Sequence, residues 1–274
     1  MISINGLGSP IALRLIDATR DRQIELMRDD PTNKRAEEAF RERIGLITTP
    51  KELIEDFEVY SFVMRAFDLE DQIFGKGLMR KVLESDPVEE TSLLNRLTDP
   101  RFRELHLSLG FTTEEGSQIP DFGGVEFQNA VVDRFYDRKF INQNDEQNST
   151  VGTVLEFREK ADTLDSWFDV LSDKKLTNFF QVALGLPKEI SGLDLDVQQK
   201  LLSEKYDLAD LADPTERERL ITRYTAISDV LSPQGFTSNS IAVSILQSAS
   251  FGSQFVPITL DVATINFSAV QLYR

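Results

Sequence analysis

The chain has 274 residues, 41% of them hydrophobic, which is enough for one large or two modest domains with a real core and excludes wholesale disorder. Its formal net charge of -16 argues against nucleic acid, which needs a clustered basic face, and against anionic membranes, while favouring solubility or a basic protein partner. The absence of cysteine removes disulfides, thiolate catalysis and thiolate metal sites together, and no apolar run of ~18 residues offers a membrane span.

Met1 to Pro10 has no basic n-region and no long apolar run, so no secretory signal is expected there. Gly6 and Gly8 follow no strand and make no dinucleotide fingerprint. Residues 11–28 and 31–46 read as two helices, the second opened by Asp30-Pro31. They make residues 1–48 an N-terminal helical segment. Thr49 and Pro50 supply the cap and first position of the next helix. There Leu53, Ile54, Phe57, Tyr60, Val63, Met64 and Phe67 fall on one unbroken helical stripe. Asp99-Pro100 starts a later helix in the same way, within a unit spanning residues 49–111.

Residues 112–124 are rich in turn formers and link this unit to connecting helices within residues 112–167. Residues 125–140 carry Phe127, Val131, Val132, Phe135 and Tyr136 at helical spacing. Asn142 to Thr150 reads as a loop or a helix start, and 151–167 as a helix ending near Trp167. Gly185-Leu186-Pro187 stops a helix, and Asp213-Pro214 opens another carrying Leu220, Ile221, Tyr224, Ile227, Val230 and Leu231. These belong to a second unit, residues 168–232. Residues 233–274 form a low-charge tail in which Ile241, Ile245 and Leu246 suggest a short helix, and Phe255 to Tyr273 alternates more like a strand. So apolar a tail either packs on the body or docks on a partner.

The two units echo each other. Asp56, Phe62, Ala66 and Leu69 match Asp173, Phe179, Ala183 and Leu186 at one constant spacing. Lys81-Val82-Leu83 then matches Lys200-Leu201-Leu202, and Asp99-Pro100 matches Asp213-Pro214. Ordered matches of this kind point to one helical unit used twice, although capped helices also resemble one another by chance. Asp30-Pro31 has too few matching neighbours to insist on a third copy. The predicted fold is all-α: two related multi-helix units, a helical N-terminal segment and the tail.

Chemistry is sparse. The sole histidine, His106, lies beside Phe102, Leu105 and Leu109 and reads as a core-edge residue rather than a general base. Asp194 and Asp196 lack the surroundings of a calcium loop and read as caps for a helix starting near Val197. Gly75-Lys76-Gly77 is too short for a phosphate-binding loop. Arg80, Lys81, Arg96, Arg101 and Arg103 form a basic stretch balanced by Glu84, Glu89, Glu90 and Glu104. Asn148-Ser149-Thr150 fits a glycosylation acceptor by chance. No catalytic, cofactor-binding or metal-binding constellation emerges.

The stretch Arg65-Ala66-Phe67-Asp68-Leu69-Glu70-Asp71, followed by Lys81-Val82-Leu83-Glu84 and Asn95 to Phe102, resembles the core of the domain of unknown function 1217 family. Ala183 to Pro187, Leu193 to Asp196, Gln198 and Asp213-Pro214 extend the resemblance over residues 20–250. Arg138-Lys139-Phe140 is similar to the family's Tyr-x-x-Arg-x-Phe stretch, with Tyr136 displaced by one position. Members usually have glycine where Asp68 stands, which puts the expected left-handed helix stop in question. The resemblance implies alphaproteobacterial proteins commonly encoded among flagellar genes, with no activity, cofactor or catalytic residue to carry over.

The expected function is therefore a non-enzymatic, flagellum-associated scaffold or assembly protein, with other flagellar or assembly proteins as partners. Tail residues Ile241, Ile245, Leu246, Phe251 and Phe255 are its candidate contact residues. The alternative is a cytoplasmic export chaperone or regulator of flagellar subunits. Either reading places the protein in the cytoplasm, or at the flagellum after export without a cleaved signal.

Overall fold

A proline preceded by an oxygen-bearing side chain starts four helices of the computed structural model, which describes residues 2–111 and 121–231. In chain order the first seven helices are α1 (Ser9–Asp29), α2 (Pro31–Arg43), α3 (Pro50–Glu55), α4 (Phe57–Ala66), α5 (Lys76–Leu83), α6 (Leu93–Arg96) and α7 (Pro100–Leu109). They are followed by α8 (Val125–Gln147), α9 (Ser149–Lys160), α10 (Trp167–Ser172), α11 (Lys174–Ala183), α12 (Leu195–Ser203) and α13 (Pro214–Leu231). Among the described residues there is no strand. Asp30 opens α2 by accepting from the N–H groups of Thr32 and Asn33, at 2.9 and 3.2 Å. Thr49 accepts from Glu52 for α3, Asp99 from Arg101 for α7 and Asp213 from Thr215 for α13. Each cap satisfies donors that the first helical turn leaves over.

Several expectations are corrected. The stripe from Leu53 to Phe67 is not one helix. Asp56 turns the chain into extended geometry between α3 and α4, and its carboxylate caps α4 by accepting from the Val59 N–H. The periodic count runs across that break by coincidence, and Phe57 is left half exposed. Asn142 to Thr150 is not a loop, because α8 continues to Gln147. Asn148 alone makes the turn: its N–H donates to the Asn144 carbonyl, while its side chain accepts from Thr150 and Val151 to open α9. Its glycosylation match is thus the signature of a buried cap. Trp167 starts a helix rather than ending one, since α9 stops at Lys160 and Ser166 forms a capping box with Asp169. The helix expected near Val197 begins at Leu195, and the Asp194 side chain makes no capping bond there. The tail, residues 112–120 and the strand-like reading of Phe255 to Tyr273 lie outside the described residues.

The stop after α4 does form, despite the aspartate. Asp68 takes a left-handed φ of 56°, the Leu69 N–H reaches the Met64 carbonyl at 2.8 Å, and the Asp68 N–H reaches Arg65 at 3.2 Å. Aspartate is among the few non-glycine residues that tolerate this region. After α11, Gly185 does the same with a φ of 68°, and Leu186 bonds back to Gln181 at 2.8 Å. The likeness extends upstream. α3 and α10 both have six residues, α4 and α11 both have ten, and each pair is 117 positions apart.

The α8–α9 hairpin is the packing centre. α8 lies against α4 and α1, while α9 lies against α11, α13 and α1. Phe62 of α4 stacks between Phe40 and Phe135, with ring centroids 4.7 and 4.2 Å away. Phe179 of α11, again 117 positions on, stacks on Phe157 of α9 at 4.1 Å. Each buried ring contributes about 1.5–3 kcal/mol by leaving water. At the hairpin base Gly152 sits where any side chain would overlap that of Asp145. Gly152→Ala should therefore lower stability by about 1–3 kcal/mol, read by thermal or urea unfolding. An unchanged midpoint would mean that the two helices do not approach this closely.

Candidate functional site

On α8, Val131, Phe135 and Arg138 follow one another down the buried face, so the arginine enters the core with 2% of its surface exposed. Its Nη1 donates to both Glu156 carboxylate oxygens on α9, at 3.1 and 3.0 Å, and its Nη2 pairs with Glu159. Glu156 is itself 3% exposed. The Lys160 ammonium, one turn on, lies 2.5 Å from Glu156 and 2.7 Å from Asp173, the cap of α11. On the other side Asp68 faces Arg138 at 3.9 Å and Arg101 at 3.6 Å. Arg101 also grips Asp99 at 2.8 Å and donates to the Asp68 carbonyl. Charges of alternating sign thus run from the start of α7, past the stop of α4, to the start of α11.

This chain of charges walls an open cleft of about 380 Å³ lined by Asp68, Asp99, Arg101, Glu156, Lys160 and Asp173. A second cleft of about 230 Å³ shares Arg101, Lys160 and Asp173. Burial pushes the Glu156 pKa up, but Arg138 and Lys160 outweigh it and hold the carboxyl down at about 2. Burial likewise pulls Lys160 down, and Glu156 and Asp173 reverse that to raise it. Asp99 is lowered: its partial burial opposes ionisation, and the Arg101 hydrogen bond prevails. A carboxylate held so low is a weak base at neutral pH, and its ion pairs tie α8, α9 and the start of α11 together. Leaving either charge of such a pair alone in the interior is costly.

The candidate contact residues Ile241, Ile245, Leu246, Phe251 and Phe255 lie outside the described residues. His106 is buried at 1% exposure, its Nδ1 lies 3.0 Å from the Val82 carbonyl, and burial lowers its pKa. Asp194 and Asp196 stand at the start of α12, and no group of three or more potential ligands fit to hold a metal occurs among the described residues. Within the basic stretch Arg80 pairs with Glu84 at 2.8 Å, Arg101 with Asp99, and Arg103 with Asn95. The sequence reading did not assemble Arg138, Glu156, Lys160 and Asp173. A signal existed: Arg138 and Glu156 are charges set among apolar helix-face residues, Val131 and Phe135 for one, Val154 and Phe157 for the other.

Residues 66–216, more than half of the chain, match the family model described as a protein of unknown function, DUF1217. The chain belongs to this family. Its fold is similar to the crystal structure of protein AGR_C_984 from Agrobacterium tumefaciens, with a TM-score of 0.72 and 26% identity. That likeness covers 85% of this chain and 98% of the other. No curated protein matches. All the charges from Asp68 through Arg138 to Asp173 fall within the stretch that matches DUF1217.

The Glu156 pKa sets an acid dependence. The native carboxyl titrates below its usual 4.5, so its stabilisation is complete above that value and is lost as pH falls towards about 2. Unfolding midpoints should drop across this window in the native sequence. Glu156→Gln should start less stable at neutral pH and show a shallower drop. Arg138→Met, which strands Glu156 without its guanidinium, should cost about 3–5 kcal/mol, read by denaturant unfolding at neutral pH. A cost below ~1 kcal/mol would show that the pair is not buried as described.

Proposed function

We propose that this DUF1217 protein is a non-enzymatic scaffold or assembly factor acting through protein–protein contacts at the flagellum. The observation that carries the non-enzymatic part is the state of the central cleft. Its carboxylates Asp99, Glu156 and Asp173 are committed to cations, and Asp99 and Glu156 titrate below their ordinary range. A large cleft built this way favours rigidity over turnover. The surface supports contact-making: Phe74 is 88% exposed, and Phe57 and Phe168 are each half exposed. The paired lengths and stops of α3–α4 and α10–α11 support reading the chain as two copies of one unit, as in scaffolds built from repeats. The flagellar assignment rests on the family resemblance seen in the sequence.

Cell fractionation followed by immunoblotting tests this reading. Stoichiometric presence in purified basal bodies or filaments is the expected result. Confinement to the soluble cytoplasm would contradict a structural role and favour the export chaperone, which the -16 charge and helical body also suit. The tail carries the proposed contacts, so deleting residues 233–274 should abolish partner capture while leaving the melting temperature of the remainder within a few degrees. Retained capture with a large loss of melting temperature would make the tail part of the core instead.

A further inference from the structure

Away from the central charges, a separate cleft of about 380 Å³ opens between the first turn of α2, the end of α4 and the middle of α8. Lys139 projects into it, half buried. Its ammonium donates to the Asn33 side-chain oxygen at 2.6 Å and stands 5.7 Å from the Phe135 ring centroid. Asn33 cannot be reoriented freely: it is 5% exposed, and its amide nitrogen donates to the Met27 carbonyl at 2.7 Å. No carboxylate of the described residues lies within ion-pair distance of Lys139. The contrast with Lys160 is sharp, because that lysine bridges two carboxylates and is raised by them. Lys139 is instead lowered, first by burial and then by the like charge of Arg65 across the cleft, which together outweigh the opposing pull of Asp30 and Glu70. Arg65 uses its Nε on Glu70, at 2.9 Å, and its two terminal nitrogens take no partner among the described residues.

We propose that this cleft binds a small, singly charged carboxylate, held by Lys139 and Arg65 with its body against Phe135. Two cationic heads face one space, and a half-buried ammonium whose hydrogen bond goes to an amide oxygen, with Asp30 and Glu70 acting on it only from beyond ion-pair distance, gains from a carboxylate in direct contact. The volume suits a small organic molecule. Glu70 and Glu146 on the rim restrict the charge, because a doubly charged phosphate would meet both. Gln143 adds a carboxamide to orient the ligand's polar end. This site is independent of the scaffold reading: a scaffold can carry it, and either can fail alone.

The test uses the full chain with sodium benzoate, inorganic phosphate and a capped glutamate peptide as probes. Binding is read by calorimetry, and Lys139 accessibility by the rate of amine acetylation, followed by mass spectrometry. Benzoate should bind, slow acetylation of Lys139 and leave exposed lysines such as Lys51 unaffected. Lys139→Gln and, independently, Arg65→Gln should each weaken benzoate binding about tenfold or more. Arg65 is 44% exposed, so its variant keeps the test sound if Lys139→Gln perturbs folding. Benzoate that neither binds nor protects, or that binds both variants as it binds the native protein, overturns the proposal. Tighter binding of phosphate overturns the charge argument, and tighter binding of the peptide overturns the small-molecule assignment.

Discussion

Arg138 carries a guanidinium into the apolar interface between α8 and α9, where its charge must be answered on the spot. Glu156 answers it, and the consequences spread outward. Glu156 needs Lys160 to complete its own pairing, Lys160 reaches the cap of α11, and Asp68 connects the same arginine to Arg101 on α7. Replacing such a cluster by apolar residues is often neutral in stability terms. Its effect is directional instead: hydrogen bonds to a planar guanidinium fix the helices' rotation and register in a way that packed rings do not.

Asp68 shows how backbone and charge are joined. The left-handed stop after α4 needs a residue that tolerates positive φ, and aspartate does so at a modest cost. In return its carboxylate accepts from Asn142 at 2.9 Å and faces Arg101 and Arg138. Gly185 makes the corresponding turn after α11 with no side chain to contribute. Two helices with the same length and the same stop therefore differ in what the stop is attached to. The rings repeat this pattern, since Phe62 stacks on α8 and Phe179 on α9.

The sequence was most legible where a local rule decides the outcome. Asp30-Pro31, Thr49-Pro50, Asp99-Pro100 and Asp213-Pro214 all start helices, because cap and proline act within one turn. Gly185-Leu186-Pro187 stops one for the same reason. Reading failed where one residue serves two elements and no proline follows it to mark the second, as one does after Asp30. Asp56 and Asn148 each end one helix while capping the next, and hydrophobic periodicity passes through such a joint without registering it. The buried charges were hidden for a different reason. Arg138, Glu156 and Asp173 are far apart in sequence and meet only through the α8–α9 hairpin, so periodicity could mark Arg138 as misplaced on an apolar face but could not name its partner.

If the charges around Arg138 bind the α4 side and the α11 side of the hairpin into one unit, the two sides should open together. Native-state hydrogen exchange measures this directly, amide by amide. The slowest-exchanging amides of α4 and α11 should share one opening free energy in the native protein and separate into two in Arg138→Met. Different opening energies already present in the native protein, or a shared energy that persists in the variant, would contradict the account.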